Sequence, residues 1–250
     1  MSGAGTASLV IPAYNERDRI AASLDAIALW RQARPGGWDW EVLLVDDGSA
    51  DGTAQVARAA AGRAGLPLQI HSLPRNRGKG AAIRMGVLAS RGDPILVSDA
   101  DLSTPLSEVE KLATQLPTHS IAVGSRAIDA DLVRKKQPLH RRAFGKVGNL
   151  LVRVFAVNSI RDTQCGFKLF RGDVARELFR DAKVERFAYD MEILHLAQRR
   201  GFTIAEVPVL WFNAPGSKVS VLRDTLPTLR DLLRIRWIHR RERPAAGSRS

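Results

Sequence analysis

Two aspartates, Asp99 and Asp101, close the apolar run in "ILVSDADLSTP" at residues 95–105. In an extended strand, side chains at i and i+2 project to the same face, so strand geometry carried to the end of the run would aim both carboxylates at one spot. A divalent ion bridging a diphosphate needs one or two carboxylates and takes its other ligands from water and phosphate oxygens, which suits an Asp-x-Asp pair. The same residues also fit a plainer use, capping the helix that begins near Pro105, for which Ser103 and Thr104 are equally suited. A second pair, Asp46 and Asp47 in "VLLVDDGSADGT", ends another apolar run. Carboxylates at a strand end can accept hydrogen bonds from ribose hydroxyls or a base imide, while residues 48–53 also read as simple turn chemistry. The stretch "RNRGKGAAIRMG" at 75–86 is a glycine-rich, basic entry to a helix, good for phosphate but without P-loop spacing. No Gly-x-Gly-x-x-Gly follows the first apolar run, so a nicotinamide dinucleotide is not expected.

The elements that must position these groups are legible as alternation. Short apolar runs, "SLVIPAY" (8–14), "WEVLLVDD" (40–47), "LQIHSL" (68–73), "PILVSDAD" (94–101) and "SIAVGSR" (120–126), are separated by helix-periodic stretches such as "ERDRIAASLDAIALW" and "TAQVARAAAGRAG". This βαβ rhythm predicts an α/β fold with a mainly parallel central sheet covered by helices. Tyr14, Asn15 and Glu16, then Asp46 and Asp47, then Asp99 and Asp101 all fall just after strands. Ligands of open α/β sheets bind beyond the carboxyl ends of the strands, so one crevice assembled from distant segments is expected.

The chain has 250 residues, 45% of them hydrophobic, and a formal net charge of +12. That content supports a folded core and excludes disorder for most of the chain. The charge calls for a polyanionic partner: nucleic acid, an anionic membrane surface or a phosphorylated substrate. Cys165 is the single cysteine, so no intrachain disulfide forms, a reducing compartment is the natural expectation, and zinc on thiolates is excluded. No window approaches the roughly 18 uninterrupted apolar residues of a spanning helix. The expected location is therefore cytosolic or membrane-peripheral.

From about 127 to 160 the alternation stops, and Arg134, Lys135, Lys136, Arg141, Arg142, Lys146 and Arg153 gather with apolar residues near helical spacing from Val147 onward. A second basic amphipathic stretch closes the chain, where Leu226, Leu229, Leu232, Leu233 and Trp237 alternate with Arg230, Arg234, Arg236, Arg240 and Arg241. Such helices either lie on an anionic bilayer or pack on the core and expose a basic face. The expected division is an α/β domain over 1–220, a basic amphipathic helix over 221–242 and a disordered tail over 243–250.

Taken together and in order, "VIPAYNE", "LLVDDGSADGT", "NRGKGAAIRMG", "SDADLSTP", "GSR", "DTQCGFKLF" and "AYDMEIL" resemble family 2 glycosyltransferases of the GT-A fold, and among them the dolichyl-phosphate or polyprenyl-phosphate β-glucosyltransferases. The resemblance spans roughly residues 8–219. It implies an inverting transfer of glucose from UDP-glucose to a polyprenyl phosphate, with GDP-mannose as donor or a soluble acceptor as the alternatives. By the same resemblance Pro12, Tyr14, Glu16, Asp46 and Asp47 would hold the nucleoside, and Lys79 would lie along the nucleotide. Asp99 and Asp101 would place Mg²⁺ or Mn²⁺ on the diphosphate, where a metal stabilises the charge developing on the leaving group. Asp162, Gln164 and Asp190 would border the sugar or acceptor, and Trp211 with "GSKVS" at 216–220 would close over the site.

A lipid phosphate hardly needs a general base, because its second pKa near 6 leaves it largely ionised at neutral pH. It needs positioning, and Arg126 with some of Arg134, Arg141 and Arg142 could clamp it, since guanidinium forks match phosphate oxygens. The alternative for each arginine is a solvated or membrane-facing surface. Cys165 reads as a buried filler and His195, one turn inside an apolar helix, as structural. Many relatives carry a transmembrane anchor that this sequence lacks, so a membrane protein is a possible further partner. Nucleic acid would account for the charge, but no recognition motif or aromatic platform accompanies it, and no nucleic acid partner is expected.

Overall fold

A strand covered on both faces must be apolar along its whole length, and the runs that satisfy this form the centre of the sheet. The computed structural model describes residues 5–33, 37–129, 132–134, 160–212 and 234–240. Its elements in chain order are β1 (Thr6–Ala13), α1 (Arg17–Gln32), β2 (Asp39–Asp46), α2 (Thr53–Ala64), β3 (Leu68–Ser72), α3 (Lys79–Ala89), β4 (Ile95–Val97), a 3₁₀ turn (Leu106–Glu108) running into α4 (Val109–Ala113), β5 (Ile121–Ser125), β6 (Val133–Arg134), β7 (Lys168–Phe170), α5 (Gly172–Asp181), α6 (Tyr189–Arg199), β8 (Ile204–Pro208) and β9 (Trp211–Phe212). Residues 234–238 add a short helix.

Seven strands form the main sheet in the order β3-β2-β1-β4-β7-β5-β8, and β6 pairs with β9 separately. The sheet is parallel except for β7, which runs antiparallel to both β4 and β5. The mainly parallel sheet expected from the sequence is therefore present. The chain leaves β1 for β2 and β3 on one side and returns to β4 on the other, so a crevice opens at the carboxyl ends of β1 and β4.

Alternate residues of one strand serve opposite cores. Leu9 and Ile11 of β1 join Val42, Leu44, Ile20, Leu24 and Ile27 under α1 and α2, while Val10 joins Ile83, Val87, Ile95 and Val97 under α3, α5 and α6. Each such fully buried Leu or Ile stabilises by about 1.5–3 kcal/mol relative to exposure. Close packing sets the position of α3: a Cβ at Gly86 would lie 2.4 Å from Val10 Cγ1.

The C-terminal helix is docked on this core rather than free of it, since Ile235 is fully buried in the cluster formed by α5 and α6. The expected basic segment over 127–160 falls largely outside the described residues, as do 213–233, the tail after 240, and with them Arg141, Arg142 and the 216–220 stretch. Arg134 lies in β6, opposite Phe212 of β9.

Candidate active site

Three loops meet at the carboxyl ends of β1, β2 and β4. After β1, Asn15 takes a left-handed conformation (φ 52°), and its side-chain Oδ1 accepts a hydrogen bond from Ala50 N at 3.1 Å while its own N–H donates to Ser49 Oγ at 2.9 Å. Glu16 N donates to Thr53 Oγ1 at 2.8 Å, and its carboxylate pairs with Arg19 at 2.5 Å. Tyr14 stands exposed at the mouth and Pro12 is buried inside β1, in register with Val45. The first two loops are thus stitched to each other into one wall of the crevice.

Asp46 and Asp47 have separate duties. Asp46 Oδ1 accepts from Ser49 N at 3.0 Å, closing the turn after β2. Asp47 reaches the other way: Oδ1 accepts from Arg77 N, and Oδ2 from Gly78 N and Asn76 Nδ2, at 2.8, 2.8 and 2.9 Å. Burial raises the pKa of Asp47 above its ordinary value and the neighbouring Asp46 adds to this, although the two backbone N–H bonds oppose it. Its carboxylate thus holds the glycine-rich loop in place in front of α3, a role the sequence does not announce. Gly78 sits at φ 116°, and a Cβ there would lie 2.5 Å from the Glu185 carbonyl oxygen.

Lys79, the first residue of α3, emerges from that loop and meets Asp99 Oδ1 at 2.5 Å. Burial would lower its pKa, but Asp99, Asp190 and Asp101 together raise it. For Asp99 burial pushes the other way, and Lys79, with help from Lys168 and Arg126, holds its carboxyl below the ordinary value. The Asp99 side chain nonetheless keeps 38% exposure, so a ligand can reach it. The strand does not continue to these residues as the i, i+2 reading required. β4 ends at Val97, Asp99 O accepts from Leu102 N in a turn at 3.1 Å, and Leu102 takes φ 48°. Asp101 Oδ1 accepts from Ser103 N at 3.0 Å, so part of the capping reading holds as well. What the two carboxylates share is the turn after β4 and the charge of Lys79, which pairs with Asp99 and also feels Asp101, not strand periodicity.

The third wall comes from residues 160–167. Asp162, 6% exposed, grips Arg126 through a fork, Nε to Oδ2 at 2.7 Å and a terminal nitrogen to Oδ1 at 2.8 Å, and also accepts from Arg126 N at 2.9 Å. Burial disfavours both charges, yet each holds the other ionised: Arg126 is raised and Asp162 lowered. Arg126 also lies 5.6 Å from the ring centroid of Trp211. Asp162 is thereby a fixing group for Arg126 and not itself turned to a ligand, while Gln164 beside it is exposed. Gly166 permits the closest approach of this wall, since a Cβ there would lie 2.2 Å from Asp99 Oδ2. Cys165 is buried and its thiol pKa is pushed up to about 11, first by burial and then by Asp162, which suits a filler and not a nucleophile.

Asp190, at the start of α6, makes a short ion pair with Lys168, and both are nearly inaccessible. Lys168 Nζ also donates to the Cys165 carbonyl. This lysine escaped the sequence reading, although "FKLF" carries its signal: a cation inside an otherwise apolar strand has to find a buried anion. Glu192, in the first turn of α6, is fully buried and accepts from Lys183 N, Val184 N and His239 Nε2. Among the described residues no group of three or more His, Cys, Asp or Glu side chains could cage a metal. Asp99 and Asp101 fit a hard cation that draws its remaining ligands from phosphate oxygens and water, with Lys79 already on Asp99 as its counter-charge.

The sequence profile of glycosyl transferase family 2 matches residues 8–179, which contain every strand-end carboxylate just described. The chain belongs to glycosyl transferase family 2. It is 38% identical over 243 residues to the dolichyl-phosphate beta-glucosyltransferase of Drosophila melanogaster and 39% identical over 245 residues to that of Homo sapiens, covering 92% of this chain and 74% of each relative. Among solved structures it is similar to glucosyl-3-phosphoglycerate synthase from Mycobacterium tuberculosis in complex with Mn²⁺, uridine-diphosphate and glucosyl-3-phosphoglycerate. That match has a TM-score of 0.66 at 20% identity and covers 97% of this chain and 82% of the other. The GT-A fold expected from the motifs is the one observed, and the protein is a glycosyltransferase.

Proposed function

We propose that this enzyme transfers glucose from UDP-glucose to a polyprenyl phosphate, inverting the anomeric carbon, at the cytoplasmic face of a membrane. The observation that carries the reading is the state of its buried carboxylates. Asp162 is committed to Arg126 and Asp190 to Lys168, so neither is an available proton acceptor of the kind a hydroxyl nucleophile requires. An acceptor that arrives already ionised fits this arrangement. The identity to the fly and human dolichyl-phosphate beta-glucosyltransferases supports the same acceptor and sugar.

In this reading the phosphate oxygen attacks C1 of the glucosyl unit, the C1–oxygen bond to the diphosphate breaks, and UDP departs with the bond electrons. The wall made by Pro12, Tyr14, Glu16 and Asp46 holds the nucleoside, with Asp47 acting through the loop it fixes. Lys79 lies along the diphosphate and offsets its charge. Mg²⁺ or Mn²⁺, when bound at Asp99 and Asp101, supplies Lewis-acid stabilisation of the leaving diphosphate. Arg126, held flat by Asp162 and Trp211, meets the acceptor phosphate, and Arg134, Arg141 and Arg142 are further candidates for that contact.

The test is to offer the protein radiolabelled UDP-glucose or GDP-mannose together with a polyprenyl phosphate, and to follow label into organic solvent. Glucose-labelled lipid with UDP-glucose alone is the expected result. Mannolipid would reassign the donor, and label found only on a soluble acceptor would reassign the acceptor.

A further inference from the structure

The helix at 234–238 has two faces that want different surroundings. At about 100° per residue, Ile235 and His239 stand about 40° apart, while Trp237 lies on the opposite side. Ile235 is fully buried and His239 is 1% exposed, with Nε2 2.7 Å from the buried Glu192. Trp237 is 66% exposed, and Arg234, Arg236 and Arg240 are exposed with it. Residues 234–240 read "RIRWIHR" and contain no acid. The Arg240 guanidinium lies 4.6 Å from the Trp237 ring centroid, so the two form one outward-facing group, an aromatic plate edged by cations.

We propose that this face is the site at which the enzyme sits on an anionic phospholipid bilayer. Charge complementarity selects the occupant: an indole favours the headgroup level, where its apolar body and polar N–H are both satisfied, and guanidinium groups pair there with lipid phosphates. The inference deepens the proposed function and rests on it for the reason a bilayer should be met at all.

The anchoring also ties this helix to elements that carry residues of the site. The Glu192 carboxylate that receives His239 receives the backbone N–H groups of Lys183 and Val184 as well. The loop that follows exposes Phe187, 45% accessible, and its Glu185 carbonyl accepts from Ala81 N in the first turn of α3, two residues from Lys79. Glu192 is itself two residues from Asp190 on α6. The lipid-facing helix is thus fastened through one carboxylate to both elements that border the proposed diphosphate site.

The experiment is flotation of the full chain, without substrates, on vesicles of phosphatidylcholine alone or mixed with phosphatidylglycerol. The wild-type protein is expected to float with the anionic vesicles and not the neutral ones. Trp237→Ser should lose most of that binding, and Arg234→Ser and Arg236→Ser should each weaken it about fivefold. Arg63→Ser, which removes an exposed arginine from α2, should leave it unchanged. Because all these side chains are solvent-facing, each variant should still fold, and transfer to a short, water-soluble polyprenyl phosphate should match wild type. Equal flotation of wild type and Trp237→Ser, or no flotation of wild type, would overturn the proposal. So would a dimer that Trp237→Ser dissociates, or RNA binding that it abolishes, since either would give the face another occupant. Trp237-dependent flotation in a protein that transfers no sugar to the soluble acceptor would uphold this surface and count against the proposed function instead.

Discussion

Each charge at the site is held by a named partner, so single substitutions should have separable effects. Lys168→Met strands a buried aspartate, and losing one member of a buried pair costs about 3–5 kcal/mol. Denaturant unfolding should register that loss, and Lys168→Met combined with Asp190→Leu should recover much of it; no recovery would mean that the lysine is held for another reason. Asp162→Asn keeps the shape but releases the Arg126 fork. We expect the acceptor KM to rise about tenfold, equivalent to about 1.4 kcal/mol of lost positioning, with UDP affinity changed less than twofold. If UDP affinity falls as much as acceptor binding, Arg126 belongs to the donor side.

The pH dependence follows from the same contacts. Asp99 is held below its ordinary pKa, so its contribution is complete above about pH 4 and fades only as pH falls through the depressed value. Lys79 is raised, so its contribution is complete below about pH 10 and fades only as pH climbs through the raised value. Neither changes charge between about pH 5 and 9. With these two charges constant, kcat/KM for the acceptor should rise through the phosphate's own ionisation near pH 6 and then level. Replacing the acceptor by a phosphonate of higher pKa should move that limb upward by the difference; a limb that stays put would belong to a protein group.

Among the elements, the sequence shows most clearly what repeats and least clearly what is set by contact. β1, β2, β3 and β5 were legible because each is an apolar run between helical stretches, and their observed bounds differ from the runs by one or two residues. β7 was not legible as a strand inserted antiparallel between β4 and β5, because its three residues carry no period and its place depends on pairing across the chain. The Asp99–Asp101 motif was read through a geometry that the structure corrects: a turn after Val97, not a strand pleat, carries both residues. Asp47 and Asp162 stand out in the sequence as candidate site carboxylates, but their partners at residues 76–78 and 126 lie about 30 to 36 positions away, and no spacing rule reaches that far. Gly166 belongs to this scale too. Gly166→Ala would drive a methyl group into the Asp99 carboxylate, and we expect UDP binding measured calorimetrically to weaken at least tenfold with little change in Tm; unchanged binding would show that the 160–167 loop yields easily.

At the scale of the whole molecule, the sheet serves as a platform with its chemistry at one end. The parallel strands β1, β2 and β4 end at the carboxylates proposed for the donor side, and the loops flanking β5 and β7 carry Arg126 and its support. Among the described residues no helix is long and apolar enough to cross a membrane. The net charge of +12 and the exposed arginines around Trp237 supply an attraction that needs no such helix, and one that salt should weaken.

The most direct single measurement is label transfer from UDP-[¹⁴C]glucose into organic-extractable product by wild type and Asp101→Asn, each titrated with Mn²⁺ and then with a chelator. The account predicts glucolipid formation by wild type that the chelator abolishes, and at least a hundredfold loss in Asp101→Asn, about 2.7 kcal/mol of lost leaving-group stabilisation. Equal transfer by the two proteins, or transfer indifferent to the chelator, would contradict it.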